Sequence, residues 1–261
     1  NLLAGAAAAA SAGGGAFYSH QIEQSLFIPG GGTNGLNRTL GTPTNEYKLT
    51  LSCWIKRSEI GDTNIQEIYK AFTGSQGVNT GFDYVTDDKL SVAVSPSYDG
   101  STTASTLDPV FRDITAFMHL VIAYDTTDGT STNRVKVYQN GTQLTGYTTT
   151  VPQNTTVTFN ESGVELYIGR SESSTYSLNG YIAEVVIIDG QQLAPTSFAE
   201  EKNGVWIPKD PSGLTFGNNG AHLKFENASD LGNDSSGNNN DFTASGLGAD
   251  HQVLDSPTFG S

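Results

Sequence analysis

Alternation of apolar and polar residues with a period of two is the feature that most constrains the fold of this chain. Every second residue from Leu49 to Ile55 is leucine, cysteine or isoleucine. Side chains of a strand point to alternate faces, so this spacing predicts a β-strand with one face in a core. A second alternating run, NRVKVYQNGTQL, contains Asn140-Gly141, the pair with positive φ that a two-residue hairpin turn requires.

Short apolar runs separated by turn residues continue along most of the chain. They include QSLFI, EIYKAF, GFDYV, KLSVAV, MHLVIAYD, VELYIGR and GYIAEVVIIDG. The 261 residues contain 30 glycines, and strands do not alternate with helical segments. This pattern predicts an all-β fold, a two-sheet antiparallel β-sandwich of the jelly-roll type. One short helix is predicted near 196–203, where Ser197 and Glu200 fit a capping box and Gly204 a stop.

The sequence predicts one sandwich domain with short extensions. Residues 1–19 begin NLLAGAAAAASAGGGAF and are interpreted as an Ala/Gly-rich arm or linker, because they lack a basic segment and are too weakly apolar for a membrane span. Its small side chains could pack against a neighbouring subunit or remain disordered. The domain is placed at 20–250 and a C-terminal tail at 251–261.

The charge of the chain excludes some classes of partner. Lys and Arg number 13 against 27 Asp and Glu, for a net charge of −14. A nucleic-acid backbone or an anionic bilayer would be repelled, so we predict no nucleic-acid partner and no membrane insertion. The single cysteine, Cys53, excludes an intrachain disulfide and is expected to be a buried, inert thiol.

Five segments together resemble a known family of β-sandwiches. LTLSCWIKR, FRDITAFMHLVIAYD, NRVKVYQNGTQL, VELYIGR and LNGYIAEVVIIDGQQLAPTSFAE are similar, in that order, to strands of the concanavalin A-like lectin/glucanase fold of the laminin-G type, over about 24–204. The continuation GVWIPKDPSG, the segment from 218 to 247 and VLDSPTFGS resemble virion proteins of marine bacteriophages, usually labelled tail-fibre or structural proteins. The resemblance implies a concanavalin A-like jelly roll on a virion.

The segment 222–246 occupies an unusual position. In laminin-G-like domains a strand like HLKFE, followed by a turn and a strand like FTASG, usually comes first; here the pair comes last. Sandwich termini tend to lie close together, which makes such a permutation geometrically easy. We therefore predict that Leu223–Glu226 and Phe242–Ser245 complete the same sandwich as a permuted last hairpin, with NDSSGNNND as their loop.

The sequence predicts no catalytic residue. Glucanases of this fold carry two carboxylates at E-x-D-x-x-E spacing on one strand, whereas Glu184 here is followed two residues later by Val186. Glu184 is therefore interpreted as a structural carboxylate, and the protein is predicted not to be an enzyme. The four histidines show no ligand spacing.

Binding sites are predicted in loops. Glycan recognition needs aromatic faces beside polar side chains; the candidates are Tyr98, Asp99, Tyr147 and Tyr176. No cofactor is predicted, with calcium as an alternative because hard oxygen ligands suit that ion; its candidate ligands are Asp230, Asn233, Asp234, Asn238 and Asp241. The run lacks the register of a calcium-binding loop, and a plain turn is the leading interpretation.

These observations favour a non-enzymatic virion surface protein. The resemblance implies a tail fibre, spike or capsid decoration that attaches to host-surface glycans, is made in the bacterial cytoplasm and is held on the particle by its N-terminal arm. It also implies contacts with other virion proteins and a homo-oligomer, with trimers usual for such fibres. A purely structural cementing protein and a polysaccharide-degrading glycoside hydrolase are the alternatives.

Overall fold

The computed structural model describes residues 17–61, 64–74, 77–83, 88–94, 105–146, 151–173 and 176–259. Within these ranges the secondary structure consists of strands and short 3-10 turns, and no helix has the length and apolar character to cross a membrane. The predicted all-β, two-sheet fold is confirmed. Of the predicted arm at 1–19, residues 1–16 lie outside the described residues.

The first sheet has eight antiparallel strands. They are β1 (Ser25–Pro29), β3 (Lys48–Arg57), β8 (Met118–Asp125), β9 (Val135–Gln139), β10 (Thr142–Gln143), β12 (Asn179–Asp189), β15 (Ala221–Leu223) and β17 (Gln252–Val253). Their order is β10-β9-β8-β3-β12-β1-β17, and β15 also pairs with β12. The sandwich therefore continues beyond the predicted boundary at residue 250.

The second sheet has seven strands. They are β2 (Gly35–Thr39), β4 (Gln66–Phe72), β5 (Gly77–Asp83), β6 (Lys89–Val92), β7 (Ser105–Val110), β11 (Glu165–Ile168) and β16 (Thr243–Ser245), in the order β16-β2-β11-β4-β5-β6-β7. A separate hairpin joins β13 (Ala199–Lys202) to β14 (Val205–Pro208).

The main core lies between the two sheets. The alternating residues from Leu49 to Ile55 are fully buried there, as the period of two predicts. Cys53 is one of them, and burial raises the pKa of its thiol to about 12, which keeps the thiol protonated and inert. The predicted hairpin at Asn140-Gly141 is also confirmed, with φ of +47° and +80°.

The outer face of the eight-stranded sheet is covered by the β13–β14 hairpin. His119 on β8 stacks on the rings of Trp54 and Trp206. Its Nδ1 accepts a hydrogen bond from Trp206 Nε1 (3.1 Å), and its Nε2 lies 2.8 Å from Ser52 Oγ. Burial lowers the pKa of His119 to about 3, so the imidazole is neutral and joins the hairpin to the sheet.

The predicted helix near 196–203 is wrong. Residues Pro195–Ser197 form a 3-10 turn, and Ala199–Lys202 is a strand. Phe198 is buried on the outer face of the sheet, and Asn203-Gly204 has φ of +53° and +79°, which closes a hairpin. The glycine that suggested a helix stop instead belongs to a hairpin turn of the same type as Asn140-Gly141.

The two strands of the segment predicted as a permuted hairpin belong to opposite sheets. β15 pairs with β12 of the first sheet, and β16 pairs with β2 of the second. The predicted strand at 223–226 is wrong, because β15 ends at Leu223 and Phe225 has φ of +56°. The two strands also do not pair as a hairpin; the loop between them crosses from one sheet to the other. Whether this order is a permutation stays a prediction.

Candidate ligand-binding face and a buried carboxylate-histidine cluster

A row of polar side chains crosses five strands of the seven-stranded sheet. Successive pairs in the β-register place its members directly opposite one another; they are Thr243, Asn37, Tyr167, Lys70 and Asn79. Their chain neighbours Leu36, Leu166, Ala71 and Val78 are all buried in the main core. Because adjacent residues of a strand point to opposite faces, the row lies on the outer face of the sheet. We call it the polar row.

Contacts with neighbouring side chains hold the central members of the polar row in place. Asn37 Nδ2 donates a hydrogen bond of 2.7 Å to Glu165 Oε1. The guanidinium of Arg170 lies 5.0 Å from the centre of the Tyr167 ring. Burial raises the pKa of Tyr167 to about 12, with Glu165 adding to the effect, so the phenol remains a hydrogen-bond donor. The row therefore presents fixed amide, phenol and ammonium groups.

Glu67 lies beside the polar row and is almost fully buried. It is opposite Gly81 in the register, where a Cβ would meet Gln66 O at 2.5 Å, so only glycine allows the strands to come this close. Burial raises the pKa of Glu67 to about 8 despite the nearby Lys70 ammonium. Its Oε2 has no hydrogen-bond partner among the described residues.

Lys70 connects Glu67 to a second carboxylate. Its Nζ lies 3.6 Å from Glu67 Oε1 and 3.9 Å from Glu172 Oε2. Glu172 belongs to the loop between β11 and β12, which also contains Tyr176, a predicted glycan residue. Tyr176 is half-buried, and its carbonyl oxygen accepts a hydrogen bond of 2.8 Å from the Ser171 N–H. The other three predicted glycan residues, Tyr98, Asp99 and Tyr147, lie outside the described residues.

A cavity of about 570 Å³ adjoins the end of the polar row. Thr243 lines it together with Ser229, Asp230, Leu231 and Leu247. Its volume lies within the range of small-molecule sites, and its walls combine a carboxylate and hydroxyls with apolar side chains. The cavity extends the polar surface past the edge strand β16.

The predicted calcium residues mostly build the loop that contains them. The Asp234 carboxylate accepts hydrogen bonds from His222 N–H (2.8 Å), Ser236 N–H (2.9 Å), Ser236 Oγ (2.8 Å) and Asn240 N–H (2.9 Å). Asp241 Oδ1 accepts one of 2.8 Å from the Asp234 N–H. These bonds engage carboxylate oxygens that a cation would need.

The remaining calcium candidates also form hydrogen bonds that stabilise this loop. Asn238 Nδ2 donates to Gly217 O (2.7 Å) and Gly220 O (3.0 Å), and Asn233 N–H donates to Asp230 O (3.3 Å). Across the part of the chain that the structure describes, no group of three or more His, Cys, Asp or Glu side chains could hold a metal ion. Whether the loop binds calcium stays a prediction.

Glu184 occupies a β-bulge in β12, on the opposite side of the molecule's core from the polar row. The register with β3 shifts between Ala183 and Val186, and Glu184 has φ of +47°. At the same point the other neighbour of β12 changes from β1, which pairs up to Ile182, to β15, which pairs from Val185. The bulge directs Glu184 into the gap between these two strands.

Two histidines meet the Glu184 carboxylate. His222 Nε2 lies 2.6 Å and His20 Nε2 lies 3.1 Å from the same oxygen, Oε1. Burial alone would raise the pKa of Glu184, but the hydrogen bonds and charges of the two histidines outweigh it and lower the pKa to about 2. The hydrogen bond to Glu184 in turn raises the pKa of His20 against the effect of its own burial. Glu184 accepts hydrogen bonds, as a structural carboxylate does.

The sequence alone did not reveal this cluster or the polar row. His20, Glu184 and His222 are far apart along the chain, and the only local signal was one carboxylate in an otherwise apolar strand. The polar row depends on the register between strands distant in sequence. Glu67 had no signal beyond its place in an alternating run.

Comparison with known proteins identifies the fold. Residues 30–195 match the sequence model of the Laminin_G_3 family, described as the Concanavalin A-like lectin/glucanases superfamily. Four members of the polar row fall within this match, whereas Thr243 and the cavity lie beyond it. A comparison with curated protein sequences finds no match.

Solved structures share the sandwich at low sequence identity. A putative carbohydrate binding protein from Bacteroides ovatus has a TM-score of 0.58 at 14% identity, with 91% of this chain and 62% of that protein covered. A heptameric SAP-like pentraxin from Limulus polyphemus has a TM-score of 0.48 at 17% identity, with 67% and 80% covered. Trypanosoma rangeli sialidase has a TM-score of 0.45 at 16% identity, with 69% and 27% covered. Of the three, the Bacteroides ovatus protein has a TM-score above 0.5, and at 14% identity this similarity shows a common fold alone.

Proposed function

The chain belongs to the concanavalin A-like lectin/glucanases superfamily, and from this premise we propose that it is a non-enzymatic glycan-binding protein. Its ligand lies on the outer face of the seven-stranded sheet, along the polar row. The observation that carries the proposal is the register that aligns amide, phenol and ammonium groups across five neighbouring strands. Adjacent strands are about 4.8 Å apart, so the row extends roughly 19 Å.

The chemistry of the polar row suits sugar hydroxyls. Hydroxyls donate and accept hydrogen bonds. The row offers donors from Lys70, Tyr167 and the two asparagines, and the neighbouring Glu165 carboxylate is an acceptor. The Tyr167 ring is only 6% exposed and is covered by Arg170, so recognition here depends on hydrogen bonds more than on stacking. The putative carbohydrate binding protein from Bacteroides ovatus has the same fold and supports a ligand of this class.

Removing polar groups from the row is expected to weaken glycan binding. Lys70→Met and Asn37→Ala each delete hydrogen-bonding groups and should raise the Kd for a bound host polysaccharide about tenfold, the loss of one charged or well-placed hydrogen bond. Lys136→Met is the matched control, because Lys136 lies on the outer face of the other sheet. Titration calorimetry with and without calcium measures the effect.

The comparison with Lys136→Met also tests where the glycan binds, and a glycan array tests whether the protein binds glycans. Equal Kd values for Lys70→Met, Asn37→Ala and Lys136→Met would move the binding site away from the polar row. If the unmodified protein binds no glycan in an array, with or without calcium, the lectin proposal fails and a structural cementing role replaces it.

Glu67 supplies one observation in favour of a second function, glycoside hydrolysis. Glycosidases combine a protonated carboxyl group with an ionised one, and Glu67 has a raised pKa of about 8 beside the carboxylate of Glu172. Against this, Glu67 is only 1% exposed and has no open path to a sugar. We therefore expect no release of reducing sugar; release that Glu67→Gln abolishes would establish an enzyme.

We further propose that the protein is displayed on a bacteriophage particle and attaches to host-surface glycans. The resemblance of residues beyond 204 to marine phage virion proteins supports this location, and the net charge of −14 suits an exposed particle surface. The N-terminal arm would contact other virion proteins in a homo-oligomer. Electron microscopy of particles labelled at the C terminus tests the location.

A further inference from the structure

Residues 17–24 run over the outer face of the eight-stranded sheet and pack against the β13–β14 hairpin. Lys202 Nζ donates to Phe17 O (2.6 Å), and Ser19 Oγ donates to Glu200 Oε1 (2.9 Å). Ile22 is 2% exposed and joins the apolar cluster around Trp54. These contacts attach the first described residues of the chain to the sandwich.

The C-terminal segment fixes one point of this attachment. Thr258 Oγ1 accepts from the Ile22 N–H (3.0 Å) and donates to Ile22 O (2.8 Å), while Ser256 Oγ also donates to Ile22 O. All of these groups are uncharged at every physiological pH. The anchor at Ile22 is therefore insensitive to protons.

His20, two residues before this anchor, is the proton-sensitive contact of the segment. Its Nε2 lies 3.1 Å from Glu184 Oε1, and its side chain is 15% exposed, so protons can reach it. The charged groups near His20 lie on β12 and in the segments that follow β14 and β15. Glu184 on β12 and Asp210 after β14 favour the protonated form, Lys224 after β15 opposes it, and His222 shares the Glu184 oxygen from the other side.

We propose that His20 is a pH-dependent latch that holds residues 17–21 against the sandwich through Glu184. The latch is closed at mildly acidic pH, where imidazolium meets carboxylate, and weaker at alkaline pH, where the neutral ring retains only a hydrogen bond. The contacts of Phe17 and Ser19 and the anchor at Ile22 do not depend on His20 and remain at alkaline pH.

The direction of the pH dependence follows from the ionisation of His20 and of Glu184. The folded protein raises the pKa of His20 above its ordinary value of 6.5, so the stabilisation is complete below 6.5 and is lost as the pH rises through the raised value. The pKa of Glu184 is about 2, so its carboxylate is charged throughout this range. The pH response of the contact between His20 and Glu184 therefore comes from the His20 side of this pair.

Hydrogen exchange of peptides that cover residues 17–24 tests the latch. After correction for intrinsic exchange rates, protection at pH 5.5 should exceed protection at pH 8.5 by roughly fivefold. This ratio is the expected contribution of a partly buried ion pair. His20→Gln keeps a hydrogen-bond donor but does not titrate, so its ratio should be close to one. His251→Gln, which changes a histidine outside the cluster, should retain the fivefold ratio.

Three results would overturn the latch. A ratio near one in the unmodified protein, or a ratio that persists in His20→Gln, would assign the attachment to other groups. Protection that rises with added zinc and falls with a chelator would instead make the cluster a metal site. Circular dichroism confirms that each variant is folded, and His20→Lys, with a permanent charge, should stay protected at both pH values.

Discussion

Replacing Asp189 by alanine is expected to lower the free energy of unfolding by about 4 kcal/mol, because its carboxylate joins three loops at the end of β12. Asp189 is 1% exposed. It accepts hydrogen bonds from Thr44 N–H (2.7 Å), Asn45 N–H (3.3 Å), Asn160 Nδ2 (2.7 Å) and Asn219 N–H (3.0 Å). Alanine would leave four donors without this acceptor in a buried site.

The free energy of unfolding is measured by titration with urea, with tryptophan fluorescence as the signal. Asp113→Ala is the matched control, because Asp113 is exposed and its carboxylate accepts hydrogen bonds within its own turn, from Thr115 and the Ala116 N–H. The control should unfold almost as the unmodified protein does. An Asp189→Ala midpoint equal to that of the control would show that solvent replaces the carboxylate, and the loops would then be held by their other contacts.

Local periodicity predicted the strands because a strand with one buried face shows the same alternation of residues whichever strand it pairs with. The alternating residues from Leu49 to Ile55 and the apolar strand that ends at Asp189-Gly190 needed no knowledge of the partner strand. The turn at Asn140-Gly141 was equally local, since positive φ belongs to the dipeptide. These parts of the fold were predictable from the sequence.

The β13–β14 hairpin was not predictable in this way. Its Asn203-Gly204 pair is compatible with a helix stop or with a hairpin turn, and Ser197 with Glu200 fits a capping box. The burial of Phe198 and Ala199 against the eight-stranded sheet decides between the two structures. Tertiary contacts therefore overrode a weak local signal.

The candidate sites depend on long-range register. Asn37, Tyr167 and Thr243 become neighbours only because β2 lies between β11 and β16. Local patterns gave strands near 223 and 243 but not the sheet that each joins, since a crossing loop and a hairpin loop have the same composition. Loop residues with aromatic rings were the natural prediction, whereas the structure places the polar row within strands.

Neutralising Glu184 is expected to remove the acid-sensitive part of the protein's stability. The difference between its ordinary pKa of 4.5 and the folded value of about 2 corresponds to roughly 3 kcal/mol. Because the folded pKa is depressed, this stabilisation is present above pH 4.5 and disappears as the pH falls through about 2. Glu184→Gln should therefore lower the free energy of unfolding by roughly 3 kcal/mol at pH 5.5, with less difference at pH 2.5.

The comparison is informative because glutamine preserves the shape and the backbone of the bulge. The φ of +47° strains both side chains equally, so the variant isolates the charge from the conformational cost. Glu226→Gln, at an exposed carboxylate 3.0 Å from Lys224 Nζ, provides the control and should follow the unmodified protein at both pH values. If Glu184→Gln lost as much stability at pH 2.5 as at pH 5.5, the folded protein would hold Glu184 protonated. The two histidines would then stabilise the bulge by packing and neutral hydrogen bonds, and His20 would have no anionic partner to make its attachment sensitive to pH.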